Sequence, residues 1–129
     1  MHARRVLIVD DNPLNIELAS YVLQEDGFVV EAAVDGDDAL ARIPDFQPDL
    51  ILMDIQLPGV DGLTLTRQLK AHVPLTFTVV AFTAYAMRGD EEKMRAAGCD
   101  GYIAKPIDVA TFAAKVRSFI TPQPLRAVP

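Results

Sequence analysis

Val6-Leu7-Ile8-Val9-Asp10-Asp11-Asn12-Pro13 packs an apolar run, two carboxylates and a helix-starting pair into eight residues. An unbroken run of four branched apolar side chains fits a strand covered on both faces, as in a parallel sheet. Asn12 is a good N-cap. Pro13 suits the first helical position, where its missing N–H would have had no intrahelical partner anyway. The stretch therefore predicts strand, acidic turn and helix in immediate succession. Leu50-Ile51-Leu52-Met53-Asp54 repeats the first half of that arrangement.

The same alternation runs through the chain. Val6–Val9, Val29–Ala33, Leu50–Met53, Val79–Phe82 and Tyr102–Ala104 read as five strands. Between them lie periodic, helix-like segments. The first follows Pro13, with Leu18, Val22, Ala19 and Leu23 as one buried stripe and Gly27 as its end. The second covers Asp37–Ile43 and stops at Pro44. The third runs from about Asp61 to His72, with Leu65 and Leu69 one turn apart. The fourth spans Arg88–Ala97 and closes at Gly98. The last starts at Asp108 as cap and buries Phe112, Val116 and Phe119. Five strand–helix repeats require right-handed crossovers and give a doubly wound parallel α/β sheet with helices on both faces. Residues 1–121 form one domain, and 122–129, with Pro122, Pro124 and Pro129, a tail that cannot continue a helix.

Composition narrows the function. Half of the 129 residues are hydrophobic, enough for a substantial core, and the formal net charge is −6. That balance argues against binding nucleic acid or an anionic membrane. No apolar run reaches the roughly 20 residues that cross a bilayer. The N-terminal Met1-His2-Ala3-Arg4-Arg5 lacks the apolar core of a signal peptide. A single cysteine, Cys99, excludes an internal disulfide framework and suits a reducing cytoplasm.

Ligands of such sheets bind in the crevice at the carboxyl ends of the strands. Asp10, Asp11 and Asp54 fall there together. Two like charges about 4 Å apart repel by roughly 4 kcal/mol at an effective dielectric near 20. A proton or a cation must relieve such a cluster. Oxygen-only ligands without nearby His or Cys favour a hard ion, Mg²⁺ first. Strand four ends in Phe82-Thr83-Ala84 and strand five in Ala104-Lys105-Pro106, adding a hydroxyl and an ammonium to the same edge. Three carboxylates, a hydroxyl and a lysine suit a phosphoryl group, and Asp54 could itself attack phosphorus to give an aspartyl-phosphate.

Leu7-Ile8-Val9-Asp10-Asp11-Asn12, Leu52-Met53-Asp54-Ile55-Gln56-Leu57-Pro58-Gly59, Thr83-Ala84 and Lys105-Pro106 together closely resemble the receiver domain of bacterial response regulators, the CheY-like fold. The resemblance runs from about Arg4 to Ile120. It implies strand order 2-1-3-4-5. It also implies Asp54 as phosphoacceptor, taking phosphoryl from a histidine kinase or phosphotransfer protein. Asp10 and Asp11 would hold Mg²⁺, with Asp54 and the backbone carbonyl of Gln56 completing the protein ligands. Lys105 would contact phosphate, Thr83 would be the switch hydroxyl, and Tyr102 the aromatic that turns inward. Gln56 and Tyr85 occupy positions that modulate phosphoryl lifetime, and Lys105-Pro106 is commonly a cis peptide. The stretch from Tyr85 through Asp90-Glu91-Glu92 to Gly98-Cys99 is similar to single-domain DivK-type regulators and to receivers attached to hybrid kinases. The implied protein is a cytoplasmic phosphorelay switch, a monomer or weak dimer, that answers to a kinase and acts on a downstream signalling protein. A stand-alone chain is the preferred form, an excised hybrid-kinase receiver the other.

Plainer readings stand beside these. Asp11 alone would be a helix-cap residue, Lys105 a solvated lysine, Thr83 structural and Tyr102 a packing aromatic. Cys99 is read as packing, His2 and His72 as isolated, and Asp35, Asp37 and Asp38 as an acidic helix start that the helix dipole favours. The charges of Asp90, Glu91, Glu92, Lys93 and Arg95 make a solvated helix face. A rival class is the Mg²⁺-dependent phosphohydrolase of the haloacid dehalogenase type. It places its nucleophile and a second Asp two residues apart on the first strand, whereas Asp10 and Asp11 are adjacent here. A flavodoxin-like cofactor binder would need a Ser/Thr/Gly-rich loop where Asp10-Asp11-Asn12-Pro13 stands.

Overall fold

The computed structural model describes residues 4–57, 62–72, 77–84 and 88–120, with only the backbone of His72 and of residues 88–90. The elements alternate without exception: β1 (Arg5–Val9), α1 (Pro13–Glu25), β2 (Val29–Ala33), α2 (Gly36–Phe46), β3 (Leu50–Asp54), α3 (Gly62–His72), β4 (Thr78–Thr83), α4 (Arg88–Ala97), β5 (Gly101–Ala104) and α5 (Phe112–Ile120). The five strands form one sheet in the order β2-β1-β3-β4-β5, and every pairing is parallel.

Strand alternation divides the core in two. Leu7, Val9, Ile51, Met53, Val79 and Ala81 face one layer, filled by Ala39, Ile43 and Phe46 of α2, Leu65 and Leu69 of α3 and Met94 of α4. Val6, Ile8, Leu50, Leu52, Val80 and Phe82 face the other, covered by Ala19, Val22 and Leu23 of α1 and Phe112 and Val116 of α5. The three central strands are thus apolar on both faces, which is why they read as continuous runs. Each such side chain taken fully from water stabilises the fold by about 1.5–3 kcal/mol.

Three expected boundaries move. The second helix does not stop at Pro44 but continues to Phe46 and closes at Gln47, in left-handed conformation with its N–H on the Ile43 carbonyl. Pro44 and Leu40, whose carbonyl loses its bond, both lie on the exposed face, while Ile43 and Phe46 are buried. Water replaces the lost partner, and burial outweighs proline's penalty. On α1, Leu18 is 40% exposed and leaves the stripe, which is Ala19, Val22 and Leu23 with Ile16 at its margin. The last helix begins at Phe112, not Asp108. Asp108 instead caps a preceding turn, its carboxylate accepting from Ala110 N–H and its carbonyl from Thr111 and Phe112. Val109 and Ala110 in that turn are exposed, and Phe112 is the first side chain with a core to enter.

The cap at Asn12 and Pro13 is as expected, with Asn12 Oδ1 accepting from Leu14 and Asn15 N–H at 2.9 and 3.4 Å. Asp35 caps α2 in the same way through Asp38 N–H. Gly27 and Gly98 follow α1 and α4 at φ +92° and +107°, a conformation that costs other residues a Cβ clash. The expected helix start at Asp61, the 121/122 boundary and tail, and His2 and Tyr85 lie outside the described residues, as do the side chains of His72 and Asp90. No described helix is long and apolar enough to cross a membrane.

Candidate functional site

Register alone brings the predicted groups together. Val9 pairs with Met53, so Asp10 and Asp54 emerge side by side one residue on. Asp54 pairs with Phe82, and Thr83 with Ala104, which puts Thr83 and Lys105 at the next level along the same edge. Asp54 and Thr83 are the last residues of their strands, held by the ladder itself.

Asp10 is fully buried and Asp54 nearly so, at 0% and 6% exposure, whereas Asp11 is exposed. Each buried carboxylate is anchored by the backbone two residues ahead: Asn12 N–H donates to Asp10 Oδ1 and Gln56 N–H to Asp54 Oδ1, both at 2.9 Å. Lys105 reaches between them, its Nζ 3.0 Å from Asp10 Oδ2 and 3.4 Å from Asp54 Oδ2. The ammonium also lies 4.9 Å from the centroid of Phe82, a ring face that favours a cation. The Lys105-Pro106 peptide is cis, as expected. Thr83 is buried beside this group.

Burial pushes the Asp54 carboxyl above its ordinary value. The Gln56 hydrogen bond and the Lys105 charge oppose that shift, and the neighbouring Asp10 charge adds to it. The site therefore holds more negative charge than its one lysine settles. Asp10, Asp11 and Asp54 each offer an oxygen, all within 4.8 Å of one another. Hard oxygen donors with a net charge deficit fit a small divalent cation of the Mg²⁺ class. Gln56 turns its side chain to solvent beside them. Tyr102 stands on β5 at the surface, 36% exposed, rather than packed inward.

Cys99 does pack. It is buried among the residues under α3 and α4, and burial pushes its thiol up. Two contributors were not evident from sequence. Asn15 donates its amide to Asp10 Oδ2 at 3.5 Å, for which the only hint was an amide one turn into α1. Gly62 lies on the backbone behind the site: a Cβ there would stand 2.1 Å from the Asp54 carbonyl oxygen. That closeness arises between segments distant in fold, and no local pattern announces it.

Residues 6–117 match the family model for the response regulator receiver domain. The chain is 43% identical over 122 residues to the polar-differentiation response regulator DivK of Brucella anthropi, covering 91% of this chain and 96% of that one. Among solved structures it resembles a putative response regulator from Chloroflexus aurantiacus, with a TM-score of 0.85 and 31% identity over 92% of this chain and 98% of the other. It also resembles the BeF3-activated DrrB receiver domain, with a TM-score of 0.80 and 25% identity over 92% and 97% of the two chains.

Proposed function

The chain belongs to the response regulator receiver domain family, and from that premise we propose that Asp54 is its phosphoacceptor. The observation that carries this reading is the convergence of Asp10, Asp54 and Lys105 at one strand edge with Asp11 at its rim. The BeF3-activated state of the DrrB receiver supports it, since that neighbour shares the fold.

The donor is a phosphohistidine of a histidine kinase or phosphotransfer protein. An Asp54 carboxylate oxygen forms the new bond to phosphorus while the bond from phosphorus to the donor imidazole breaks, and the imidazole leaves with a proton from solvent. Asp10, Asp11, Asp54 and the Gln56 backbone carbonyl are the residues that would hold Mg²⁺, which when bound supplies positive charge to the phosphoryl oxygens. Gln56 N–H keeps one Asp54 oxygen in place and leaves the other for attack. Lys105 follows the phosphoryl group as charge moves outward from the carboxylate. Thr83 donates its hydroxyl to a phosphoryl oxygen and withdraws toward it, and Tyr102 fills the space vacated. The added charge, about −1.5 to −2, shifts a population between two arrangements with a coupling on the order of 1–3 kcal/mol. The altered surface is read by a downstream signalling protein. Water later attacks the acyl phosphate and resets the switch, so no metabolite is turned over.

The test is intact mass after incubation with Mg²⁺ and a small-molecule phosphoryl donor. One phosphate is expected, absent in Asp54→Asn and after chelation of the metal. A mass shift that survives in Asp54→Asn overturns the acceptor assignment.

A further inference from the structure

Behind the site runs a buried polar connection that the carboxylates and Lys105 do not use. Thr66, on α3, is completely shielded from solvent. Its hydroxyl donates to the Gly62 carbonyl at 2.7 Å and lies within hydrogen-bond reach of the Cys99 thiol. With the hydroxyl proton committed to Gly62, the thiol is the donor in the second bond. At one end, Gly62 rests on the backbone of the acceptor strand: its N–H bonds the Ile55 carbonyl at 3.2 Å, and no Cβ would fit against Asp54 or Ile55. At the other end, Cys99 is tied by its N–H to the Met94 carbonyl of α4 and leads into β5. It lines a small cavity of about 50 Å³ with Glu91, Met94, Arg95 and Tyr102.

Threonines inside helices often bond the carbonyl four residues back, and that alone would mean little. Here the hydroxyl is in the dry interior, has a second polar partner on another element, and holds the one residue that touches the Asp54–Ile55 backbone without a side chain between. Buried polar links of this kind fix relative positions tightly, because any displacement strands a donor or acceptor away from water.

We propose that Thr66 is a positioning residue that couples the Asp54–Ile55 backbone to the α4–β5 corner through Gly62 on one side and Cys99 on the other, a route separate from Thr83 and Tyr102. As a carrier of the phosphorylation signal it rests on the reading of Asp54 as acceptor.

Hydrogen exchange of the full chain, with and without Mg²⁺ and a small phosphoryl donor, tests it in wild type, Thr66→Val and Thr66→Ser, with intact mass recording phosphate on each sample. Thr66→Val keeps the shape and loses the hydroxyl. It is expected to take up phosphate like wild type while the phosphate-dependent change in exchange over residues 99–104 falls by at least half, and Thr66→Ser is expected to restore it. An undiminished response in Thr66→Val, or an equal loss in Thr66→Ser, overturns the proposal. A wild-type chain that takes no phosphate refutes the acceptor reading instead. The link itself then stands on a double-mutant cycle of unfolding with Thr66→Val and Cys99→Ala: non-additive effects support it and strict additivity overturns it.

Discussion

Asp54 carries its charge against the preference of its surroundings. Burial raises its carboxyl above the ordinary 3.8 despite the Gln56 bond and Lys105, so the folded chain holds that proton more tightly than the unfolded one. The stabilising contribution of the protonated form is complete below 3.8 and is lost as pH rises through the higher folded value. Metal-free Asp54→Asn is therefore expected to be more stable than wild type at neutral pH, by on the order of 1 kcal/mol. The Asn oxygen still accepts from Gln56, and Lys105 keeps Asp10. The advantage should vanish as pH falls toward 3.8. Thermal unfolding of both proteins in chelator across that pH range checks it, and an Asn variant less stable than wild type at pH 7 refutes it. The same residue shows what a sequence discloses at this scale. Asp10, Asp54 and Lys105 were legible because each directly ends a strand-like run, and parallel register converts that position into proximity. Asn15 and Thr66 were not, because a polar side chain at a helical position declares its type but not the partner that the packing supplies.

Helices and strands were read by burial pattern, and the errors fall where burial and local propensity disagree. Pro44 is a sound stop signal that Ile43 and Phe46 override. Asp108 is a sound cap that holds only a turn, since nothing before Phe112 enters the core. Leu18 is apolar enough for a stripe, yet it sits at the rim of α1, where the contact with the sheet ends. Two glycines sharpen the distinction. At Gly27 nothing lies within 4 Å of an added Cβ, but φ is +92°. Gly27→Ala is expected to cost about 1–2 kcal/mol through backbone strain alone, leaving phosphate uptake unchanged. At Gly62 the obstacle is the Asp54 carbonyl oxygen at 2.1 Å, which is backbone and cannot swing aside. Gly62→Ala must lift the start of α3 off the acceptor strand. It is expected to cost roughly 3 kcal/mol, the upper part of the range for overpacking, and to reduce phosphate uptake by displacing Asp54. Denaturant unfolding paired with intact mass separates the two. Equal effects on uptake would show that the approach of α3 to Asp54 has no functional weight.

For the whole molecule, the parallel sheet sets a tension between stability and function. All strands point their carboxyl ends to one edge, so a chain of net charge −6 concentrates three carboxylates there against one lysine. Asp10 and Asp54 extend β1 and β3, the pair at the middle of the sheet, and their repulsion acts on strands that pack both core layers. A divalent cation bound there would act on the entire fold rather than on a loop. Mg²⁺ is therefore expected to stabilise the native chain globally, by about 2.7 kcal/mol at a hundred times its Kd. The effect should appear as a rise in Tm that saturates with concentration and reverses with chelator. Screening by salt also eases carboxylate repulsion, so the comparison must be made at matched ionic strength with a monovalent salt, and with Asp10→Asn in parallel. A saturable rise for Mg²⁺ in wild type, small in Asp10→Asn and absent with the monovalent salt, is the expected pattern. Equal rises with both salts, or a full response in Asp10→Asn, would mean that the carboxylates gather no specific ion and that their charge is met by screening alone.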